Sequence, residues 1–353
     1  MNCCVECFHD SHIRATIERH GTTGDCDFCS QKNISVINID DTSNPIAQMI
    51  ISLVEIYSVS DSPDSKPLKF ALRDDWDIFT AGAESILALT KKLCIEAYGS
   101  DAEIFTKNVT IPRLADKNFL HDFCVVRGQT WEEFSSSIKY SNRFHNRMFN
   151  AEVFASFLPM LETAYPVGTK LYRARVCPNS SGFAIDEMGA PPPDKRPAGR
   201  INPEGVGVLY LSLDAKTTLN EVRATTFDYV SIGTFNNERG FKVVNLSGIG
   251  RTSPFLYIGE LEEFAANRSV FQEIAAEIAK PMRSSDSPLS YLPTQYIAEF
   301  IKSKNYDGVE FASTLREGGH NLAIFDEKLF DCVKIQTVEV SQILYNTNPA
   351  VDV

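Results

Sequence analysis

Basic side chains are in short supply in this 353-residue sequence, with 34 Lys and Arg against 46 Asp and Glu, a formal net charge of −12. That deficit excludes a general nucleic-acid binder, because such proteins draw most of their affinity from clustered cations on phosphates. Local basic patches stay compatible with it. No run approaches the roughly 18 consecutive apolar residues that read as a bilayer span, so no membrane partner is expected. The opening MNCCVECFHDSH lacks the apolar stretch of a secretory signal, which predicts a cytoplasmic location. Internal repeats and long low-complexity tracts are also missing, which leaves out solenoids. What remains is 43% hydrophobic and 23% charged residues, ordinary for a soluble globular chain of two or more domains.

Nine cysteines in a chain expected to be intracellular do not read as a disulfide framework. Cys94, Cys124, Cys177 and Cys332 lie among apolar neighbours and read as small buried hydrophobes. Five others crowd into the first 29 residues. Cys4-x2-Cys7 and Cys26-x2-Cys29, separated by 18 residues, have the spacing of two knuckles sharing one tetrahedral Zn2+. Four thiolates fill the coordination sphere, so the site reads as structural. Cys3 offers another register, His9, His12 or His20 another ligand, and a redox dithiol pair is the competing reading. Ile13 to His20 is predicted to form a short helix across the site.

Further along, Ile46 to Val59, Ile78 to Tyr98 and His145 to Tyr165 carry apolar residues at helical spacing, with the turn-forming loop SDSPDSKP after the first. From Tyr165 the composition changes to short strands, turns and the Pro-rich loop APPPDKRP. The predicted organisation is a zinc-knuckle module at 1–35, a helical domain at 40–164 and a mixed α+β domain at 165–346.

Within that last domain, GRINPEGVGVLYLSLDAKTTLNE packs a loop, a strand (Val206 to Leu213) and a helix (Ala215 to Thr225, with Asp214 as N-cap) into one unit. Glu221 sits about two turns into the helix, able to face back toward the strand. Upstream, the strand Thr169 to Val176 carries Arg173 and Arg175, each either a snorkelling edge residue or an anion-binding group. Downstream, Leu292 to Lys304 reads as a helix, and the strand after Asp307-Gly308 ends on Ser313, ahead of the loop LREGGH and a further strand from Asn321.

Taken in order, LYRAR, PPPDKRPAGRINPEGVGVLYLS, TTLNEVR and YLPTQYIAEFIKSKNYDGVEFAS resemble the RES family over roughly residues 165 to 345. The N-terminal part looks like the zinc-knuckle and HEPN-related extension that some RES proteins carry. The resemblance implies an ADP-ribosyltransferase-like fold and action on NAD, often as a bacterial toxin neutralised by an antitoxin, with a homodimer a reasonable assembly. It places the family's Arg, Glu and Ser on Arg173, Glu221 and Ser313, its stacking Tyr on Tyr210 and its loop Arg on Arg200, beside Asn202.

The chemistry suits these residue types. Cleaving the nicotinamide-ribose bond passes through an oxocarbenium-like sugar cation, which the carboxylate of Glu221 would offset. Guanidinium groups at Arg173 and Arg200 suit the pyrophosphate, while Tyr210, Tyr172, Asn202 and Ser313 offer an aromatic face and fixed hydrogen bonds for flat rings. Other readings are Ser313 as a covalent nucleophile, a non-catalytic NAD sensor that binds a partner, and a HEPN-type ribonuclease. The last needs a helix-borne Arg and His, and the spacing Arg14 to His20 lies between the cysteine knuckles.

Overall fold

Aspartate and asparagine caps start the first helices of the chain. In the computed structural model, which describes residues 1–41, 44–248, 250, 252–281 and 287–343, Asp10 accepts the Ile13 amide at 2.8 Å to begin α1 (Ser11–His20). Asn44 accepts the Ala47 amide at 2.9 Å, and Pro45 opens α2 (Pro45–Glu55), where its missing amide is no loss. Then come α3 (Leu68–Trp76), α4 (Ala83–Leu93), α5 (Ile95–Tyr98), α6 (Lys117–Phe123), α7 (Trp131–Tyr140) and α8 (Ala151–Phe157). The long helix predicted over 78–98 is shorter at its start. Its first residues instead bond to the knuckle, Ile78 O accepting the His9 amide at 2.8 Å and Thr80 N donating to Cys7 O at 3.0 Å. The helix predicted over 145–165 starts at the Asn150 cap and tightens over Leu158–Leu161, where Pro159 removes a donor, before becoming a strand.

Contacts divide the chain into two units. The first holds Met1–Phe134, Asn146–Leu161 and Gly248–Gln272; the second holds Ser135–His145, Glu162–Ser247 and the chain from Glu273 onward. The last residues of the predicted third domain, 344–346, lie outside the described residues. In the first unit, β1 (Asn2–Cys4), β2 (Thr22–Gly24) and β3 (Ile34–Asn38) form an antiparallel sheet in the order β1-β3-β2, and β4 (Ser58–Val59), β5 (Lys66–Pro67) and β6 (Asn108–Thr110) one in the order β4-β6-β5. Its core stacks Phe154 on Phe271 at 5.1 Å and Phe157 on Tyr257 at 4.5 Å between ring centroids.

The second unit is built on an eight-stranded sheet. Its strands are β7 (Glu162–Tyr165), β8 (Lys170–Cys177), β9 (Leu209–Ser212), β10 (Tyr229–Asn237), β11 (Phe241–Asn245), β12 (Gly308–Ala312), β13 (His320–Ile324) and β14 (Phe330–Glu339). They lie in the order β14-β10-β8-β9-β13-β12-β11-β7. The helices that follow α8 in the chain are α9 (Ala215–Glu221), α10 (Leu261–Ala279) and α11 (Leu292–Ser303). β11 and β12 pair in parallel and the other neighbours antiparallel, so the predicted α+β class with a mixed sheet is the observed one. Leu171, Leu209, Leu211, Phe235, Leu322 and Ile324 pack the sheet core, each at most 2% exposed.

One junction of this sheet is left open. β8 pairs with β10 from Lys170 to Cys177 but meets β9 at a single pair, Tyr172 opposite Ser212. Past that point α9 lies against β8, and Thr218 Oγ1 accepts the Ala174 amide at 2.8 Å in place of a strand carbonyl. The gap leaves room for a cavity beside β8. A Thr218→Val substitution keeps the shape and removes the acceptor, so it is expected to lower stability by about 1–3 kcal/mol, the penalty of an unsatisfied buried amide. Chemical denaturation measures this, and an unchanged midpoint would mean the amide finds another acceptor.

Candidate active site

The cavity beside β8 encloses about 290 Å3 and is lined by Arg173, Arg200, Tyr210, Ser212, Thr218, Glu221, Lys280 and Asn321 among others. β8 supplies Arg173, which stands opposite Gly233 of β10 in register. Its Nη1 is buried without a hydrogen-bond partner among the described residues. Burial, helped by the nearby Arg175 charge, pushes the guanidinium pKa down to about 10, so it stays cationic at neutral pH. Arg175 is occupied elsewhere, donating to Glu187 O and covering the Phe183 ring at 4.3 Å. A partly buried cation on the cavity wall suits an anionic ligand.

The loop before β9 shapes a second wall. Asn202 is 5% exposed, and its Nδ2 lies within 3.0–3.2 Å of the carbonyls of Pro197, Pro203 and Val206. Its Oδ1 accepts the Tyr210 hydroxyl at 2.9 Å. That pair anchors Tyr210 by its tip while the residue stays 37% exposed. Burial of the hydroxyl end pushes the phenol pKa up, so Tyr210 acts as a neutral ring. Gly199 is required here, since a Cβ would lie 2.8 Å from Asn202 Oδ1 and 3.0 Å from the Tyr210 hydroxyl. α11 holds the loop from behind. Thr294 Oγ1 donates to Arg200 O at 2.6 Å, and Gln295 Nε2 donates to Gly199 O at 2.7 Å and Asn202 O at 3.0 Å.

Asp214 begins α9 by accepting the Lys216 and Thr217 amides, each at 3.0 Å. The helix ends on Glu221, and there three segments meet. Ser313 Oγ, just past β12, donates to Glu221 Oε1 at 2.6 Å, and Asn321 Nδ2, on β13, donates to the same oxygen at 2.8 Å. Ser212 Oγ, on β9, donates to Asn321 Oδ1 at 2.7 Å.

The structure therefore brings Glu221 and Ser313 into contact and puts Arg173 and Tyr210 on the walls of the same cavity. Arg200 also lines it, 7% exposed, with its guanidinium donating to Lys280 O at 2.7 Å, Pro281 O at 3.4 Å and Glu277 at 3.5 Å. Asn202 reaches the cavity through Tyr210, and Tyr172 stands at the single β8–β9 pair, opposite Ser212. Sequence reasoning missed Asn321, Ser212 and Thr218. No local pattern marks them, because each acts through a partner far along the chain.

In the first unit, the Sγ atoms of Cys4, Cys7, Cys26 and Cys29 lie within 4.8 Å of one another. Neighbouring sulfurs are 3.8 Å (Cys4–Cys7), 3.3 Å (Cys4–Cys29) and 3.6 Å (Cys7–Cys26) apart. A tetrahedron with metal–sulfur bonds of about 2.3 Å has edges of about 3.8 Å, so the donor set fits a tetrahedral metal ion. Cys3 is outside the group, and so are His9, His12 and His20. Arg14, half of the Arg-to-His spacing, ties the first knuckle together by donating to Val5 O and Phe8 O at 3.2 Å and to Glu6 at 2.9 Å.

Residues 170–345 match the family model described as RES domain. No curated protein matches the sequence. Among solved structures, the chain is similar to one in the crystal structure of the M. tuberculosis MbcT-MbcA toxin-antitoxin complex, at 12% identity, with 53% of this chain and 93% of that chain covered and a TM-score of 0.33.

A Gly199→Ala substitution is expected to push Tyr210 off Asn202 and lower stability by about 1–3 kcal/mol, as overpacking does. Thermal unfolding tests it; a melting temperature equal to the wild type would show that the loop yields without strain.

Proposed function

We propose that the RES domain over residues 170–345 consumes NAD, cleaving the bond between nicotinamide and ribose and passing ADP-ribose to water, phosphate or a macromolecule. The observation that carries this reading is the contact between Glu221, on the cavity wall, and Ser313, 92 positions away in the chain and 2.6 Å from it, beside a cavity that Arg173 also lines. At about 290 Å3 the cavity is near the lower end of ligand pockets, roughly 300–1,000 Å3, which suits the nicotinamide-ribose end with the rest of the dinucleotide in the open mouth.

In this reading Glu221 faces the ribose. As the glycosidic bond lengthens, its electron pair leaves with nicotinamide and positive charge spreads over the sugar carbon and ring oxygen. The carboxylate offsets that charge and holds the 2-hydroxyl. Ser313 orients the carboxylate through its hydroxyl. Arg173 neutralises pyrophosphate charge at short range, as an overall acidic protein requires, with the Arg200 charge in the wall behind it. Tyr210 offers its ring face to a flat base. The four thiolates of Cys4, Cys7, Cys26 and Cys29 would hold Zn2+, whose chemistry there is purely structural because no coordination position is left for water. An antitoxin or other regulatory protein, and a homodimer, enter this reading on the family resemblance alone.

Incubating the purified protein with NAD is expected to release nicotinamide, followed by chromatography, and Glu221→Gln is expected to lower kcat by at least about 100-fold with the fold intact. Unchanged NAD with folded wild-type protein would sink the reading. Separately, elemental analysis is expected to find about one zinc per chain, lost with a lower melting temperature in Cys26→Ser. Metal-free protein of wild-type stability would remove the ion.

A further inference from the structure

The carboxylate of Glu221 is held unsymmetrically. Both of its protein donors, Ser313 Oγ and Asn321 Nδ2, converge on Oε1. Oε2 accepts no hydrogen bond from the described residues. Behind Asn321 stands Ser212, its cross-strand partner in the β9–β13 ladder, so the two side chains share a face of the sheet. Both are buried, at 6% and 3% exposed, while Glu221 itself is exposed at the end of α9.

The carboxylate, which can only accept, decides which end of the amide faces it, and the Ser212 hydroxyl completes the arrangement by donating to the other end. With the Ser212 hydroxyl donating to Oδ1, the NH2 group faces Glu221; turned over, Oδ1 would sit against a carboxylate oxygen and repel it. We infer that Ser212 and Asn321 form a positioning relay that fixes Oε1 of Glu221 and thereby aims Oε2 at the substrate. This rests on the proposed cleavage of NAD and adds to it two residues that act through Glu221. A carboxylate at a helix end otherwise turns freely about its terminal torsion, and holding one oxygen removes that freedom before substrate arrives. The charged groups on the same cavity are Arg173 of β8, Arg200 of the loop and Lys280 after α10, with Glu277 near Arg200 and Arg316 bound to Asp214 at the opposite end of α9.

Asn321→Asp tests the relay. The substitution keeps the shape and the acceptor for Ser212 but replaces the NH2 donor with an oxygen. It is expected to lower kcat about 10- to 100-fold at neutral pH with KM little changed, and the ratio to wild type is expected to rise as pH falls, because protonation gives the new carboxyl an O–H to donate. Ser212→Ala, which loosens the amide without removing it, is expected to cost less than Asn321→Asp. A variant whose losses follow its melting temperature, with the wild-type pH profile, would overturn the relay and leave Asn321 a packing residue. The NMR signals of the Asn321 side-chain amide give a readout that needs no turnover: they are expected to exchange slowly with solvent and to lose that protection in Glu221→Ala. Signals that exchange freely, or ignore Glu221→Ala, overturn the relay even in a protein inert toward NAD. NAD left intact by wild-type protein that keeps the protected amide would overturn the cleavage reading instead.

Discussion

The pairing withheld between β8 and β9 is the constraint on which the rest of the second unit depends. A complete ladder there would bring the two strands within hydrogen-bonding distance and leave no space beside Arg173. The chain avoids the cost of an orphaned amide at the gap by giving Ala174 N to Thr218 of α9. That one substitution of a side-chain acceptor for a backbone one sets a helix against the strand, opens a cavity, and places the last residue of the helix, Glu221, at its edge.

Electrostatics follow from that placement. The protein is acidic overall, yet the cavity walls carry Arg173, Arg200 and Lys280. Arg200 is tied to protein acceptors, so its charge contributes to the wall and its geometry to the loop. Arg173 keeps one buried nitrogen without a partner among the described residues, an arrangement that burial penalises. Glu221 is the opposite case, a carboxylate already bonded at one oxygen and open at the other.

Parts of this were legible along the chain because the physics is local. Two CxxC turns present thiolates in pairs, and their spacing already implied a cluster of Cys4, Cys7, Cys26 and Cys29. Asp214 as a cap, the strand before it and the helix after it follow from neighbouring residues. Helix ends were harder. The start of the stretch 78–98 went to hydrogen bonds with the backbone of Cys7 and His9, some seventy positions away, which no periodicity can announce. Asn202 likewise carries its meaning in three carbonyls and one phenol that the loop folds around it.

By itself the sequence determined the α+β class, the cysteine cluster and the order of motifs, since hydrophobic period, turn chemistry and ligand spacing act over a few residues. Tertiary structure decided what those motifs share. The strand that separates depends on Ala174 and Thr218, 44 positions apart, and the pair Ser212 and Asn321 behind Glu221 on residues 100 and 109 positions apart, each meeting within 3 Å. Their chemistry is ordinary at every position taken alone, and it acquires direction from the neighbour that the fold supplies.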